Sequence, residues 1–179
     1  MRKNDGFTLI EMLLVIAIVG IVSAIALPGL LRARQSSNEA SAIGSIRAIN
    51  SGQTAYASTC AGGGYAQNNT DLAKGPMGGA AFIGPDLEQA DILGHSKSGY
   101  LVDVSDSNDA QNRDVMPAAS TCNASVANAR ALYFVSADPV VRGQTGGRSF
   151  AAERSGTIYW DANGPIANPI PAGLSTFIQ

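Results

Sequence analysis

The sequence predicts an α+β fold, in which a long N-terminal helix packs on an antiparallel β-sheet head of three to four strands. The first observation is a run without any charge at residues 12–31, in a chain whose charged fraction is only 15%. Soluble domains contain about 25% charged residues. The second is a series of short apolar segments in the C-terminal half, separated by turn residues, which is typical of antiparallel strands. The 179 residues suffice for one domain with an accessory segment.

The first part of the helix is long enough to cross a membrane. A polar leader at residues 1–6 precedes an apolar segment at residues 7–31, whose only charged residue is Glu11. At about 1.5 Å per residue, the uncharged run reaches about 30 Å, the thickness of a bilayer's hydrocarbon core. We therefore expect residues 7–31 to form a membrane-inserted helix.

The helix is expected to continue to about residue 58 in amphipathic form. Side chains suited to a core recur at three- and four-residue spacing, while Ser, Asn and Arg occupy the opposite side. The recurring positions are Ala42, Ile46, Ile49, Gln53 and Tyr56. This spacing predicts that the second half of the helix is partly buried in the head and that the first half protrudes from it.

A proline interrupts the apolar half of the helix. Pro28 lacks a backbone donor and crowds the preceding turn, and Gly29 beside it lowers helix propensity further. We therefore expect a kink or a melted turn near residues 23–29.

The head, residues 59–179, is predicted to contain one short helix and several strands among loops. Pro85 to Leu93, followed by Gly94, indicates the short helix. Alternation and turn residues predict strands at residues 100–104, 131–137, 149–153 and 157–161. Loops are expected at residues 59–79 and 105–129, and the tail from residue 165 is expected to be coil with an edge contact.

Glu11 is the residue that neither a cleaved signal peptide nor a simple signal anchor explains. A carboxylate inside an apolar helix costs about 2.5–3.5 kcal/mol on insertion scales, so it should have a partner. Cleavage after Gly6 would give Phe7 a free α-amine, a cation at neutral pH that could pair with the carboxylate. A conventional signal peptide cleaved after Ala26 is the alternative, because residues 24–26 fit a small-x-small cleavage site.

Residues 6–11, Gly-Phe-Thr-Leu-Ile-Glu, followed by the apolar run, resemble the class III signal of type IV pilins and pseudopilins. In that family the prepilin peptidase cuts after the Gly and methylates the new N-terminal residue. The resemblance implies cleavage between Gly6 and Phe7, N-methylation of Phe7, and an assembly role for Glu11 with the Phe7 amine. The proline of the family's helix corresponds to Pro28.

The resemblance implies a structural subunit of a type IV pilus and not an enzyme. The chain would polymerise with copies of itself into a helical surface filament that serves adhesion, twitching motility or DNA uptake. Implied partners are the prepilin peptidase and the inner-membrane assembly platform with its ATPase. Before assembly the chain would span the inner membrane once, with its N-terminus cytoplasmic, and afterwards it would lie in an extracellular pilus or a periplasmic pseudopilus.

Two alternative functions remain open from the sequence. A pseudopilin of a type II secretion system carries the same N-terminal motif, so the motif does not separate it from a pilin. A secreted protein with a conventional signal peptide is the more remote alternative. A general nucleic-acid binder is disfavoured, because the net charge is −2 and the pI is about 5.2.

Both cysteines, Cys60 and Cys122, follow the membrane segment, and an extracytoplasmic location favours a disulfide between them. Two separate buried thiols are the alternative. The bond would join the loop at residues 105–129 to the end of the helix. Pilins often carry their disulfide nearer the C-terminus, so this position departs from the family pattern.

No catalytic, metal or cofactor site is predicted. Asp103, Asp106, Asp109 and Asp114 lie close together, and secretion pseudopilins often hold calcium in their heads. The spacing, however, does not match an EF-hand loop. We therefore expect a solvated acidic loop rather than a metal site.

Overall fold

The computed structural model describes residues 7–92, 95–174 and 176–178. The described residues up to Arg34 form one compact unit, and those from Gln35 onward form a second. Helix α1, Leu9–Thr59, contributes to both units. The second unit adds two short helices, α2 at Asn69–Ala73 and α3 at Pro85–Glu88. The leader at residues 1–6 lies outside the described residues.

In the first unit, helix α1 has no polar face and no buried face. Every residue from Phe7 to Arg34 is exposed. Leu9 near the start of the helix is 78% exposed, and Ile25 more than four turns later is 77% exposed. By length and composition this helix could cross a membrane. A helix that is apolar all round needs lipid or neighbouring helices around it.

Pro28 lies inside α1, and the helix continues through residues 23–29 without a break. The structure therefore shows no melted turn in this stretch. A bend at Pro28 and Gly29 stays a prediction.

In the second unit, α1 buries the face that the spacing predicts. Ile46, Ile49, Gln53 and Tyr56 are 0% exposed, and Ala42 is 1% exposed. The apolar members of this face share a core with the inner faces of the sheet strands. Burying one large apolar side chain contributes about 1.5–3 kcal/mol, so this face anchors the second half of α1.

The strands of the described residues form two antiparallel sheets. Their bounds are β1 Tyr100–Asp106, β2 Asp114–Met116, β3 Ala129–Arg130, β4 Tyr133–Pro139, β5 Ser149–Glu153, β6 Ile158–Asp161 and β7 Phe177–Ile178. The main sheet has five strands in the order β1-β4-β5-β6-β7, and β2 pairs with β3. Tyr100, Val102 and Val104 alternate inward along β1, as the sequence predicts. The long helix and the antiparallel sheet confirm the α+β class.

The main sheet has one strand more than the three to four that the sequence predicts. The fifth strand, β7, consists of two tail residues, and Ile158 and Tyr159 of β6 pair with Ile178 and Phe177. Two residues are too few to show a period-two pattern, so the sequence predicts only an edge contact there.

Three local predictions in the head are also corrected. Helix α2 forms within residues 59–79, where the sequence predicts a loop. The Asn68 side chain stabilises its first turn, because Oδ1 accepts a hydrogen bond from the Asp71 N–H and caps the helix. Helix α3 ends at Glu88, and Leu93 and Gly94 lie outside the described residues. The predicted loop at residues 105–129 contains strand β2 and a 3₁₀ turn at Ala118–Ser120.

Candidate assembly site

The start of α1 places Thr8 and Glu11 in a reciprocal hydrogen-bonded pair. Thr8 immediately precedes the helix, and its Oγ1 accepts a hydrogen bond from the Glu11 N–H at 3.3 Å. In return, Glu11 Oε2 accepts from the Thr8 N–H at 2.9 Å and from the Thr8 hydroxyl at 2.8 Å. This is a capping box, which satisfies backbone donors that the first helical turn leaves open. Thr8 is not among the predicted site residues, although the Thr-x-x-Glu spacing at residues 8–11 indicates a capping box.

Of the predicted processing and assembly residues, the structure describes Phe7 and Glu11. Phe7 is 80% exposed and directly precedes Thr8. Gly6, the predicted residue before the cleavage point, lies outside the described residues. Glu11 is the single charged residue between Phe7 and Leu31. A carboxylate surrounded by apolar side chains is stabilised only by a nearby cation or by hydrogen-bond donors, so this site suits a cationic partner.

At the other end of α1, the structure confirms the disulfide between Cys60 and Cys122, which are 62 positions apart. Cys60 directly follows the helix, and its carbonyl accepts a hydrogen bond from the Cys122 N–H at 3.2 Å. The alternative of two free buried thiols is thereby excluded. The bond holds the segment around Cys122 against the helix end.

A buried carboxylate that is not among the predicted site residues supports the same segment. Asp71 is 0% exposed, and its carboxylate accepts from the Val126 N–H at 2.6 Å and from the Ala127 N–H at 3.1 Å. Tyr56 of α1 adds a hydrogen bond of 2.7 Å between its hydroxyl and Ser125 Oγ. The two bonds to Asp71 give backbone N–H groups of a loop without regular structure the partners that a helix or sheet would supply, and the Tyr56–Ser125 bond joins a side chain of the loop to α1.

Glu39 joins α1 to the loop before β5. Its Oε2 accepts from Arg148 Nε at 2.9 Å and Nη2 at 2.6 Å, and its Oε1 accepts from the Gly147 N–H at 2.9 Å. Burial raises the pKa of Glu39, but the hydrogen bonds from Arg148 and Gly147 and the Arg148 charge together hold it below its usual value. The Arg148 guanidinium also lies over the Phe150 and Trp160 rings, 5.6 and 5.2 Å from their centroids.

The four clustered aspartates form the predicted solvated loop only in part, because the side chains of Asp106 and Asp114 are 46% and 58% exposed but each has a charged partner. Asp106 and Asp114 both form ion pairs with Arg130, which belongs to β3. Asp109 accepts from the Gln111 N–H at 2.7 Å, which stabilises a local turn. Asp103 is part of strand β1, and burial raises its pKa, with the charges of Asp91 and Asp138 adding to the effect. Over residues 7–92, 95–174 and 176–178, no group of three His, Cys, Asp or Glu side chains is placed to hold a metal ion.

Comparison with known proteins gives a family match at the N-terminal end and matches to relatives over part of the chain. Residues 1–27 match the family described as the prokaryotic N-terminal methylation motif. The type IV major pilin protein PilA of Myxococcus xanthus is 38% identical over 54 residues, which are 30% of this chain and 24% of that protein. The type IV wide pilus major component PilA4 of Thermus thermophilus is 54% identical over 39 residues, which are 22% of this chain and 30% of that protein.

The matches confirm the resemblance to type IV pilins through the prepilin methylation motif. The chain covers less than a third of the length of either of these two relatives. No solved structure matches the chain.

Proposed function

We propose that this chain, which carries the prepilin methylation motif and is similar in part to type IV major pilins, is a structural subunit of a type IV pilus. The subunit polymerises with copies of itself into a helical filament and performs no catalysis. A pseudopilin of a type II secretion system is the second candidate, since it would use the same motif and helix. Both named relatives are pilus components, and this favours the pilus.

The observation that carries the proposal is the exposed apolar helix from Phe7 to Leu31 with one carboxylate near its start. A surface that is apolar on all sides needs a bilayer before assembly and a bundle of like helices afterwards. Apolar contacts alone define the axial position of one helix against another only weakly, because lipid tails are equally apolar. A single charged pair between subunits supplies the missing register.

In the proposed mechanism, the prepilin peptidase cleaves the bond between Gly6 and Phe7 and methylates the new amine of Phe7. The Phe7 amine of one subunit then donates to the Glu11 carboxylate of its neighbour, which removes the cost of a lone charge in an apolar surrounding. Pro28 and Gly29 let the apolar half of the helix bend as it leaves the membrane.

The remaining parts of the proposal concern location and machinery. The chain waits in the inner membrane with its N-terminus in the cytoplasm and its head outside. An inner-membrane platform and a cytoplasmic ATPase then drive its transfer into the filament, whose surface the heads cover. In this proposal, residues 1–6 are the leader that is removed. The helix at residues 7–58 supplies the filament core and its connection to the head, and the head at residues 59–179 forms the outer surface of the filament.

The experiment that tests the proposal is mass spectrometry of the protein's N-terminus in filaments sheared from cells, compared with the membrane fraction. An abundant sheared protein that begins at methylated Phe7 supports the pilus subunit. A processed Phe7 start confined to the membrane fraction supports the pseudopilin instead. A start near Leu27 supports the conventional signal peptide and contradicts both proposals.

Replacing Glu11 by Leu should leave membrane insertion intact and abolish filament growth, because the cationic amine of the neighbouring subunit loses its partner. Electron microscopy of sheared material and immunoblots of the membrane fraction measure the two effects. Ile10→Leu, one position earlier, is the matched control and should assemble as the wild type does. Normal filaments from Glu11→Leu would refute the assembly role of this residue.

A further inference from the structure

The geometry at the start of α1 points to Thr8 as a positioning residue for the assembly carboxylate. We infer that the N–H and hydroxyl of Thr8 hold one oxygen of Glu11 in place, so that the other is directed to the Phe7 amine of a second copy of this chain. The inference rests on the proposed function, because it requires that Glu11 bind that amine. It adds a residue and a hydrogen-bond arrangement to the proposal.

The hydrogen bonds divide the two carboxylate oxygens. Oε2 of Glu11 accepts both Thr8 donors, at 2.9 and 2.8 Å. Within the described part of the chain, Oε1 takes no hydrogen bond from any residue. An exposed Glu side chain otherwise samples many rotamers, and two donors on one oxygen restrict it to those that keep this contact. A group that is ordered beforehand loses less freedom when its partner binds.

The surroundings make this restriction matter. Apart from Thr8, the side chains next to Glu11 in sequence are apolar, including Phe7, Leu9 and Ile10, so these side chains offer the carboxylate no hydrogen bond. Without the Thr8 hydroxyl, the carboxylate would retain the Thr8 N–H as its donor in this turn. Hydrogen bonds to charged groups are the stronger class, so the hydroxyl contributes appreciably to the orientation.

A simpler reading of the same pair is that Thr8 only caps the helix. Capping requires an oxygen that accepts from the Glu11 N–H, which Thr8 Oγ1 supplies at 3.3 Å. Positioning requires a donor to the carboxylate. Three substitutions at this position separate the two roles. Thr8→Ser keeps acceptor and donor, Thr8→Val keeps neither, and Thr8→Asp keeps the acceptor but replaces the donor by a second negative charge.

The experiment measures the amount of sheared filament per processed subunit in cells, counting only protein that begins at methylated Phe7. Thr8→Ser should assemble within about twofold of the wild type, because its hydroxyl is equivalent. Thr8→Val should assemble about tenfold less, which corresponds to about 1.4 kcal/mol, the size of a modest charged hydrogen bond. Thr8→Asp should assemble less than Thr8→Val, because it caps the helix but repels Glu11.

Two results would overturn the inference. If Thr8→Val forms filaments at the wild-type level, the hydroxyl does not act in assembly. If Thr8→Asp assembles as well as Thr8→Ser, Thr8 acts as a helix cap alone. Two controls in the same assay keep this failure distinct from a failure of the proposed function. If wild-type protein processed at Phe7 is absent from sheared filaments, the proposed pilus subunit itself is contradicted. Normal filaments from Glu11→Leu would contradict the assembly role of Glu11, whereas their loss beside normal Thr8→Val filaments would contradict only the role of Thr8.

Discussion

Replacing both Cys60 and Cys122 by Ser should lower the free energy of unfolding of the head by about 4 kcal/mol. The structure supplies the loop length, because the two cysteines lie 62 positions apart. The chain-entropy relation for a closed loop of this size gives about 14 cal/mol/K, which at 298 K amounts to about 4 kcal/mol. The bond thus acts chiefly by restricting the unfolded chain.

The folded head has other contacts that should keep the loop in place without the disulfide. The Asp71 carboxylate accepts from two backbone N–H groups of the loop, and the Ser125 hydroxyl bonds to Tyr56. We therefore expect the Ser variant to fold to the same structure and to lose stability only through the unfolded state.

The assay is urea unfolding of the full chain in detergent, followed by the fluorescence of Trp160, the single Trp of the sequence. The midpoint temperature in a parallel thermal scan should fall by about 8–16 °C, at 2–4 °C per kcal/mol for a domain of this size. Wild-type protein kept reduced should match the double variant. If the free energy of unfolding of the double variant falls by less than about 1 kcal/mol, the entropic argument is refuted. Contacts other than the disulfide would then hold the two ends of this loop together in the unfolded chain.

Two further substitutions test the packing and the electrostatics of the head. Gly52→Ala places a Cβ 2.7 Å from the Phe82 carbonyl oxygen and should destabilise the head by about 1–3 kcal/mol in urea unfolding. Gly44→Ala lies on the exposed face of the same helix with nothing within 4 Å of the added Cβ, so it should instead stabilise the head by about 0.5–1 kcal/mol. Equal changes in the free energy of unfolding for the two variants would contradict the close approach of Phe82 to Gly52. The pKa of Glu39 is lowered in the folded state, so its contribution to stability is present at neutral pH and is lost as pH falls from the ordinary carboxyl pKa through the lower pKa of the folded state. Glu39→Gln should therefore weaken the head at pH 7 and reduce the loss of stability that the head shows as pH falls below the ordinary carboxyl pKa, whereas an unchanged pH profile would argue against the pairing with Arg148.

The parts of the fold that the sequence predicts are those encoded by consecutive residues. The buried face of α1 follows from three- and four-residue spacing, and the inward residues of β1 follow from alternation. The hairpin of β5 and β6 follows from the turn residues at 154–156 between two apolar segments. The disulfide could be predicted because the chain has only two cysteines, both after the apolar N-terminal segment.

The acidic segment shows why local pattern fails for polar groups. Four aspartates within twelve positions indicate a solvated loop, but two of them find Arg130 once β3 lies beside them. The guanidinium is 16 and 24 positions away in sequence from Asp114 and Asp106. Charge spacing carries no information on which distant cation the chain path will bring near.

By itself the sequence determined the apolar N-terminal segment, the Gly-Phe-Thr-Leu-Ile-Glu motif with its processing prediction, and the order of one long helix followed by antiparallel strands. These depend on hydropathy and period, which neighbouring residues define. Only the tertiary structure decided which polar groups meet: Glu39 with Arg148, Asp71 with the loop at residues 126–127, and the tail with β6. These partners lie far apart in sequence, from 18 positions for Tyr159 and Phe177 to 109 positions for Glu39 and Arg148. Their contact follows from the path of the whole chain, which no local pattern specifies.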